Sequence, residues 1–129
     1  MIKKLLLYPL LLILSVIVLY VAWVLIAFRD IPVEALEAKY GGENLQRVVV
    51  DGVPLRYKVE GQGPPLLLIH SHFYTMRMWQ PWVDILKDQF TIIRYDLTSH
   101  GLTGPDPTQD YTRARASDLI DGLLAHVGV

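Results

Sequence analysis

Between Leu5 and Phe28 the chain runs for 24 residues without a charged side chain. A 129-residue chain has too little left over to bury such a helix inside a soluble core. A helix rises about 1.5 Å per residue, so the run reaches about 36 Å, against a hydrocarbon core of about 30 Å. The segment 1–29 therefore reads as a single transmembrane anchor, with the lipid bilayer as its partner. Pro9 falls in the first turns, where a missing amide hydrogen costs least. Tyr8, Tyr20 and Trp23 suit the two interfaces. A cleaved signal peptide is the competing reading, but its apolar region is normally about 7–15 residues and ends at a small-residue site. Here the run is longer, and Ala22 and Ala27 have bulky neighbours. Lys3 and Lys4 precede the run, while Arg29 and Asp30 nearly cancel after it. The positive-inside tendency places the N-terminus in the cytoplasm and the remainder on the periplasmic or extracellular side.

All thirteen acidic residues follow the run. Ten basic residues accompany them, so the rest of the chain is mildly acidic. With no basic block, nucleic acid is not an expected partner. The chain has no cysteine, which excludes disulfide scaffolds, zinc fingers and iron–sulfur sites. Charged residues at 19% and hydrophobic residues at 52% are unlike a disordered chain.

Residues 30–45 read as a linker helix and loop: Asp30 caps it, Pro32 suits its first turn, and Gly41–Gly42 ends it. Gln46–Val50 reads as a strand, followed by an Asp51–Gly52 hairpin turn. Leu55, Tyr57 and Val59 then alternate with Arg56, Lys58 and Glu60, the pattern of an antiparallel strand with one wet face. After the Gly61–Pro65 turn, Leu66–Ile69 is uniformly apolar, as in a strand buried on both faces. Pro81–Asp88 reads as a helix with Trp82, Ile85 and Leu86 on its apolar face. Thr91–Tyr95 is the next strand. A helix from about Arg113 to His126 follows, with Thr112 as cap, Gly128 as stop, and Leu119, Ile120, Leu123, Leu124 and Val127 on one stripe. Buried strands alternating with helices imply an α/β fold with a mostly parallel sheet.

Open α/β sheets carry their chemistry in loops at the carboxyl ends of strands. Two such loops are present, His70-Ser71-His72-Phe73 and Asp96-Leu97-Thr98-Ser99-His100-Gly101-Leu102-Thr103. The first, entered from Gly61-x-Gly63-Pro64-Pro65 and Leu66–Ile69, resembles the strand and oxyanion loop near the start of an α/β-hydrolase domain. The second resembles that family's Asp-x-x-Gly-His-Gly-x-Ser loop. Trp79 and Trp82 resemble a tryptophan common in the intervening helix, and the final helix resembles the one leading into the nucleophile strand. The resemblance covers about residues 46–129 and is closest to epoxide hydrolases, haloalkane dehalogenases, carbon–carbon hydrolases and related esterases. Three departures stand out: Ser71 and Ser99 where glycine is usual, and Thr103 where serine is usual.

The resemblance implies a small-molecule substrate, no cofactor and no metal. Cleavage of an ester, epoxide, halide or carbon–carbon bond would run through a covalent intermediate on a serine or aspartate. No Gly-x-Ser-x-Gly elbow or aspartate equivalent occurs here, so no catalytic residue is assigned in this chain. The expectation is an N-terminal part of a longer enzyme. The alternative is a truncated, inactive protein with a binding role. A one-span transporter subunit is disfavoured, because the span carries no charge. By resemblance, His72 offers its backbone N–H to the oxyanion and Phe73 lines the substrate pocket. His70, Asp96 and His100 brace the loops rather than act as base. A metal held by Asp96, His70 and His72 has the right ligand types, but the strand and loop already account for those residues. His126 reads as a solvated residue near a helix end, and Met76, Met78, Trp79 and Trp82 as packing. With its central sheet border bare, the chain alone is expected to be inactive and unstable.

Overall fold

A computed structural model describes residues 2–129, with side chains described from Leu7 onward. The side chains of Lys3, Lys4, Leu5 and Leu6 lie outside that description. The chain divides into two compact units, Met1–Pro32 and Val33–Val129.

The first unit is helix α1, Ile2–Ala27, with Pro9 inside it. Its stretch Leu7–Ala27 has a mean hydropathy of 3.0 and none of it is buried in the structure. A membrane span and a signal sequence both have that character.

The second unit begins with α2, Val33–Tyr40. It starts three residues later than the sequence predicts, leaving Asp30 outside, because a residue before proline is pushed out of the helical region and Ile31 precedes Pro32. Strands β1, Gln46–Val50, and β2, Val53–Gly61, form an antiparallel hairpin with Val50 opposite Val53. Asp51 and Gly52 take φ of 46° and 83°, the left-handed pair that a two-residue hairpin needs. Strand β3, Pro65–Ile69, leads through a 3₁₀ turn at Met76–Trp79 into α3, Gln80–Leu86. Strand β4, Thr91–Tyr95, precedes α4, Arg113–Val127. Thr112 accepts the Arg115 amide at the start of α4, and Gly128 ends it at φ 80°.

The sheet order is β1-β2-β4-β3. Strands β3 and β4 are parallel, with Leu67 opposite Ile93, while β4 also pairs antiparallel with β2. On one face Val53, Leu55, Tyr57, Ile93 and Tyr95 pack against Leu119 and Leu123 of α4. The other face carries two polar anchors. Arg56 is buried and donates to Glu37 of α2 at 2.5 Å, and the exposed Arg47 joins the same carboxylate. Arg94 is buried and reaches Glu60 at 2.7 Å, Gln80 at 2.7 Å and the Met76 carbonyl at 3.3 Å.

Three sequence expectations need correction here. The wet face of β2 is not wet at Arg56, because α2 covers it with a charge of opposite sign. The buried side of α3 is Val83, 1% exposed, whereas Trp82 and Ile85 are 54% and 66% exposed; a two-turn helix offers only a narrow contact, and Val83 holds it. Strand β3 is half-buried rather than enclosed, since β4 is its sole strand partner in the sheet.

Candidate functional site

Parallel pairing of β3 and β4 brings the two suspect loops to one end of the sheet. Asp96 ties them together. Its Oδ1 accepts the Met76 amide at 2.7 Å and its Oδ2 accepts the Leu102 amide at 2.9 Å. One carboxylate at the end of β4 therefore holds the segment after β3 and the segment after β4. Backbone bonds tighten the second loop: Ser99 to Gly104, His100 to Leu97 and Thr103 to His100, each at 2.9–3.0 Å. Thr103, in place of the family's serine, accepts the Arg56 amide on its hydroxyl at 2.9 Å.

His70 is buried beside them. Its Nε2 accepts the Leu97 amide at 2.9 Å, so that nitrogen carries no proton. Nδ1 carries it and donates to the Ser71 carbonyl at 2.9 Å. Both ring nitrogens are thus occupied by the two loops. His100 donates from Nδ1 to the Thr98 carbonyl at 2.9 Å, and its Nε2 lies 3.1 Å from Nδ1 of His72. With His100 in its neutral form, the proton between the two rings sits on His72. The ring of His100 is 5.4 Å from that of His70 and 5.1 Å from that of His72, and Phe73 follows 4.2 Å beyond His72.

All five residues singled out in the sequence thus share one end of the sheet, in two tiers. Asp96 and His70 are buried; His72, His100 and Phe73 reach solvent. Both ring nitrogens of His70 are engaged, and each oxygen of Asp96 accepts one amide. The amide of His72 donates to no group among the described residues. Of the two serines at glycine positions, Ser99 takes a left-handed φ of 61° and Ser71 does not; Phe73 takes 70°. His126 touches Tyr57 through Nε2 at 3.1 Å and with its ring edge-on.

Sequence reasoning missed two features of the site. Gly101 is packed on Asp96 so closely that a Cβ there would lie 2.2 Å from the carboxylate. Tyr95, the last residue of β4, has a buried hydroxyl with no partner among the described residues, and burial pushes its ionisation up to about 12. A glycine five residues after a strand-end aspartate was a signal for the first; the second has none.

No protein-family model matches the chain. Over 63 residues it is 38% identical to the pimeloyl-acyl-carrier-protein methyl ester esterase of Legionella pneumophila (strain Corby), a match covering 49% of this chain and 25% of the esterase. Over 82 residues it is 29% identical to the soluble epoxide hydrolase of Corynebacterium sp. (strain C12), covering 64% of this chain and 28% of that enzyme. A solved hydrolase from Pseudomonas aeruginosa PA01 superimposes with a TM-score of 0.63 at 32% identity, over 68% of this chain and 34% of that one. The chain spans about a quarter to a third of the length of these relatives. It has α/β-hydrolase-fold homologues over about 60% of its length, and its four-stranded mixed sheet matches part of that fold.

Proposed function

From that homology we propose that the chain supplies the anchor, the first four strands and the oxyanion loop of a membrane-tethered α/β-hydrolase. The enzyme would cleave an ester, epoxide, carbon–halogen or carbon–carbon bond of a small molecule. A further segment, pairing with the open side of β3, would bring the nucleophile, the acid and the catalytic histidine. The hydrolase domain would stand on the periplasmic or extracellular side, with residues 1–29 as the anchor, 30–45 as the linker and 46–129 as its first part.

Within that enzyme His72 offers its main-chain N–H to the developing oxyanion, and Phe73 lines the pocket. His70, Asp96 and His100 fix the loops. The observation that carries the reading is the free His72 amide at the end of β3, in a loop pinned from both sides by His70 and Asp96. An oxyanion donor contributes about 3 kcal/mol to the transition state, or roughly a hundredfold in rate.

The test is turnover by the native-length gene product on a panel of activated esters, epoxides and haloalkanes. His72→Ala keeps the amide and should stay within about tenfold of wild type, while His72→Pro removes the amide and should lose about a hundredfold in kcat. Equal losses in the two variants would remove the assignment of His72. A binding protein without chemistry is the alternative, favoured by Ser99 at φ 61° where the family has glycine. No turnover of any substrate on the panel would select it.

A further inference from the structure

On the α2 side of the sheet two hollows share part of their lining. The larger, about 850 Å³, lies between the end of α2, the Gly41–Asn44 loop and the 3₁₀ turn. Three cations face it. The Lys39 ammonium lies 5.0 Å from the Tyr40 ring centre, and the Arg77 guanidinium lies 5.6 Å from the same ring. Lys58 donates to the Glu43 carbonyl at 2.7 Å. Its ammonium is held below the ordinary lysine range, by desolvation first and then by the neighbouring Arg94. Among the described residues none of these three cations is in an ion pair. Arg94 borders the hollow as well, but Glu60 meets its charge. Glu43 is the remaining carboxylate on the lining, so positive charge is in excess there.

The smaller hollow, about 310 Å³, is lined by Leu36, Met76 and Leu102, with both oxygens of Asp96 turned to amides at its base. It shares Tyr40, Thr75, Met76 and Arg77 with the larger one, so the cationic space and the apolar one adjoin at these residues. His72 and His100 line neither hollow; both border a third one with Tyr111 and Leu119.

We infer that the two adjoining hollows together form a binding site for a single-chain anionic amphiphile. A phosphate or carboxylate head sits among Arg77, Lys39 and Lys58, and a short alkyl chain lies against Leu36, Met76 and Leu102. Unpaired cations around a partly desolvated space select an anion. A neighbouring apolar cavity selects a ligand that carries a chain, each buried methylene tightening binding by about fourfold. A small inorganic anion meets only half of this lining, and a neutral alcohol only the other half. The larger hollow borders the His72 loop at Phe73, but binding there does not depend on turnover.

The probe is octyl phosphate, titrated calorimetrically into the full chain in phosphatidylcholine nanodiscs, with empty nanodiscs as blank. Saturable binding is expected, with inorganic phosphate and octanol each weaker by about tenfold or more. Arg77→Glu and the exposed Lys39→Glu should each weaken octyl phosphate by about tenfold, while Lys87→Glu, outside both hollows, should leave it unchanged. Retained binding in both Arg77→Glu and Lys39→Glu overturns the site. Inorganic phosphate or octanol binding as tightly as octyl phosphate overturns it too. A second arm replaces a minority of the phosphatidylcholine with lysophosphatidic acid, a bilayer lipid with one chain. Competition there identifies a bilayer lipid as the source of the head group, and its absence identifies a free amphiphile; either result upholds the site. Because the readout is binding, failure here is distinguishable from failure of the hydrolase assignment.

Discussion

The α-carbon of Gly101 faces the carboxylate of Asp96 so directly that an added Cβ would lie 2.2 Å from Oδ2. The same carboxylate holds Met76 and Leu102 by their amides, so anything that displaces it loosens both loops at the end of the sheet. Gly101 also has a φ of 52°, which an L side chain adopts only with strain. Gly101→Ala should destabilise the domain by about 2 kcal/mol or more. The melting midpoint of the detergent-solubilised chain, followed by near-ultraviolet circular dichroism, checks this.

Asp96→Asn retains the shape but turns an NH₂ toward one of the two amide donors. One buried amide then loses its acceptor, at a cost of about 1–3 kcal/mol. Hydrogen exchange should show the loss at Met76 or Leu102, with β1 and β2 protected as before.

Glu37 is the counter-charge that lets Arg56 lie buried in the middle of β2. Glu37→Gln leaves a desolvated guanidinium without its partner and should cost about 3 kcal/mol. Arg47→Ala, which removes the exposed end of the same network, should cost below about 1 kcal/mol. Comparable losses from the two substitutions would show that the buried contact has no special weight.

Acid sensitivity should centre on Asp106. Hydrogen bonds from the Arg115 guanidinium, then from Thr108, hold its carboxyl at about 2. An unfolded aspartate titrates near ~3.9. The folded state gains from this group above about pH 4, and that gain disappears as pH falls toward about 2. Because Arg115 also reaches Asp51 in the hairpin turn, the link joins α4 to β1 and β2. Asp106→Asn should flatten the fall in melting temperature across that interval.

Alkaline behaviour should centre on Tyr95, whose hydroxyl burial pushes up to about 12. An unfolded tyrosine loses its proton near ~10. Between those values the unfolded chain binds fewer protons, so stability falls as pH rises. Tyr95→Phe removes the unpartnered hydroxyl, should stabilise the domain by about 1 kcal/mol at neutral pH, and should weaken the alkaline fall. Phenolate absorbance against pH provides the check.

Local chemistry made much of the fold legible. Asp51–Gly52 announced the hairpin because few other pairs accept two left-handed residues in succession. Thr112 and Gly128 marked both ends of α4 for equally local reasons. The parallel pairing of Leu66–Ile69 with Thr91–Tyr95 followed from apolar runs separated by a helix. What escaped depended on distant partners. Nothing near Arg56 in sequence reveals that Glu37, nineteen residues earlier, covers it. On α3 the larger side chains Trp82 and Ile85 suggested a buried stripe, yet the smaller Val83 occupies the contact. At the candidate site the residues were legible as a group, by family resemblance rather than by pattern. Their partners were not, because His70 and Asp96 bind main-chain amides, and every residue except proline has one.

Phe73 pairs a left-handed backbone with an aromatic ring that is 90% open to water. Each choice raises the energy of the isolated fold, the backbone alone by about 1 kcal/mol. The cost of the open ring is recovered only if another surface settles on it, while the backbone cost stays. A surface that sheltered Phe73 would meet a contact already aimed, and its arrival would be favoured by apolar area left open when the chain folded.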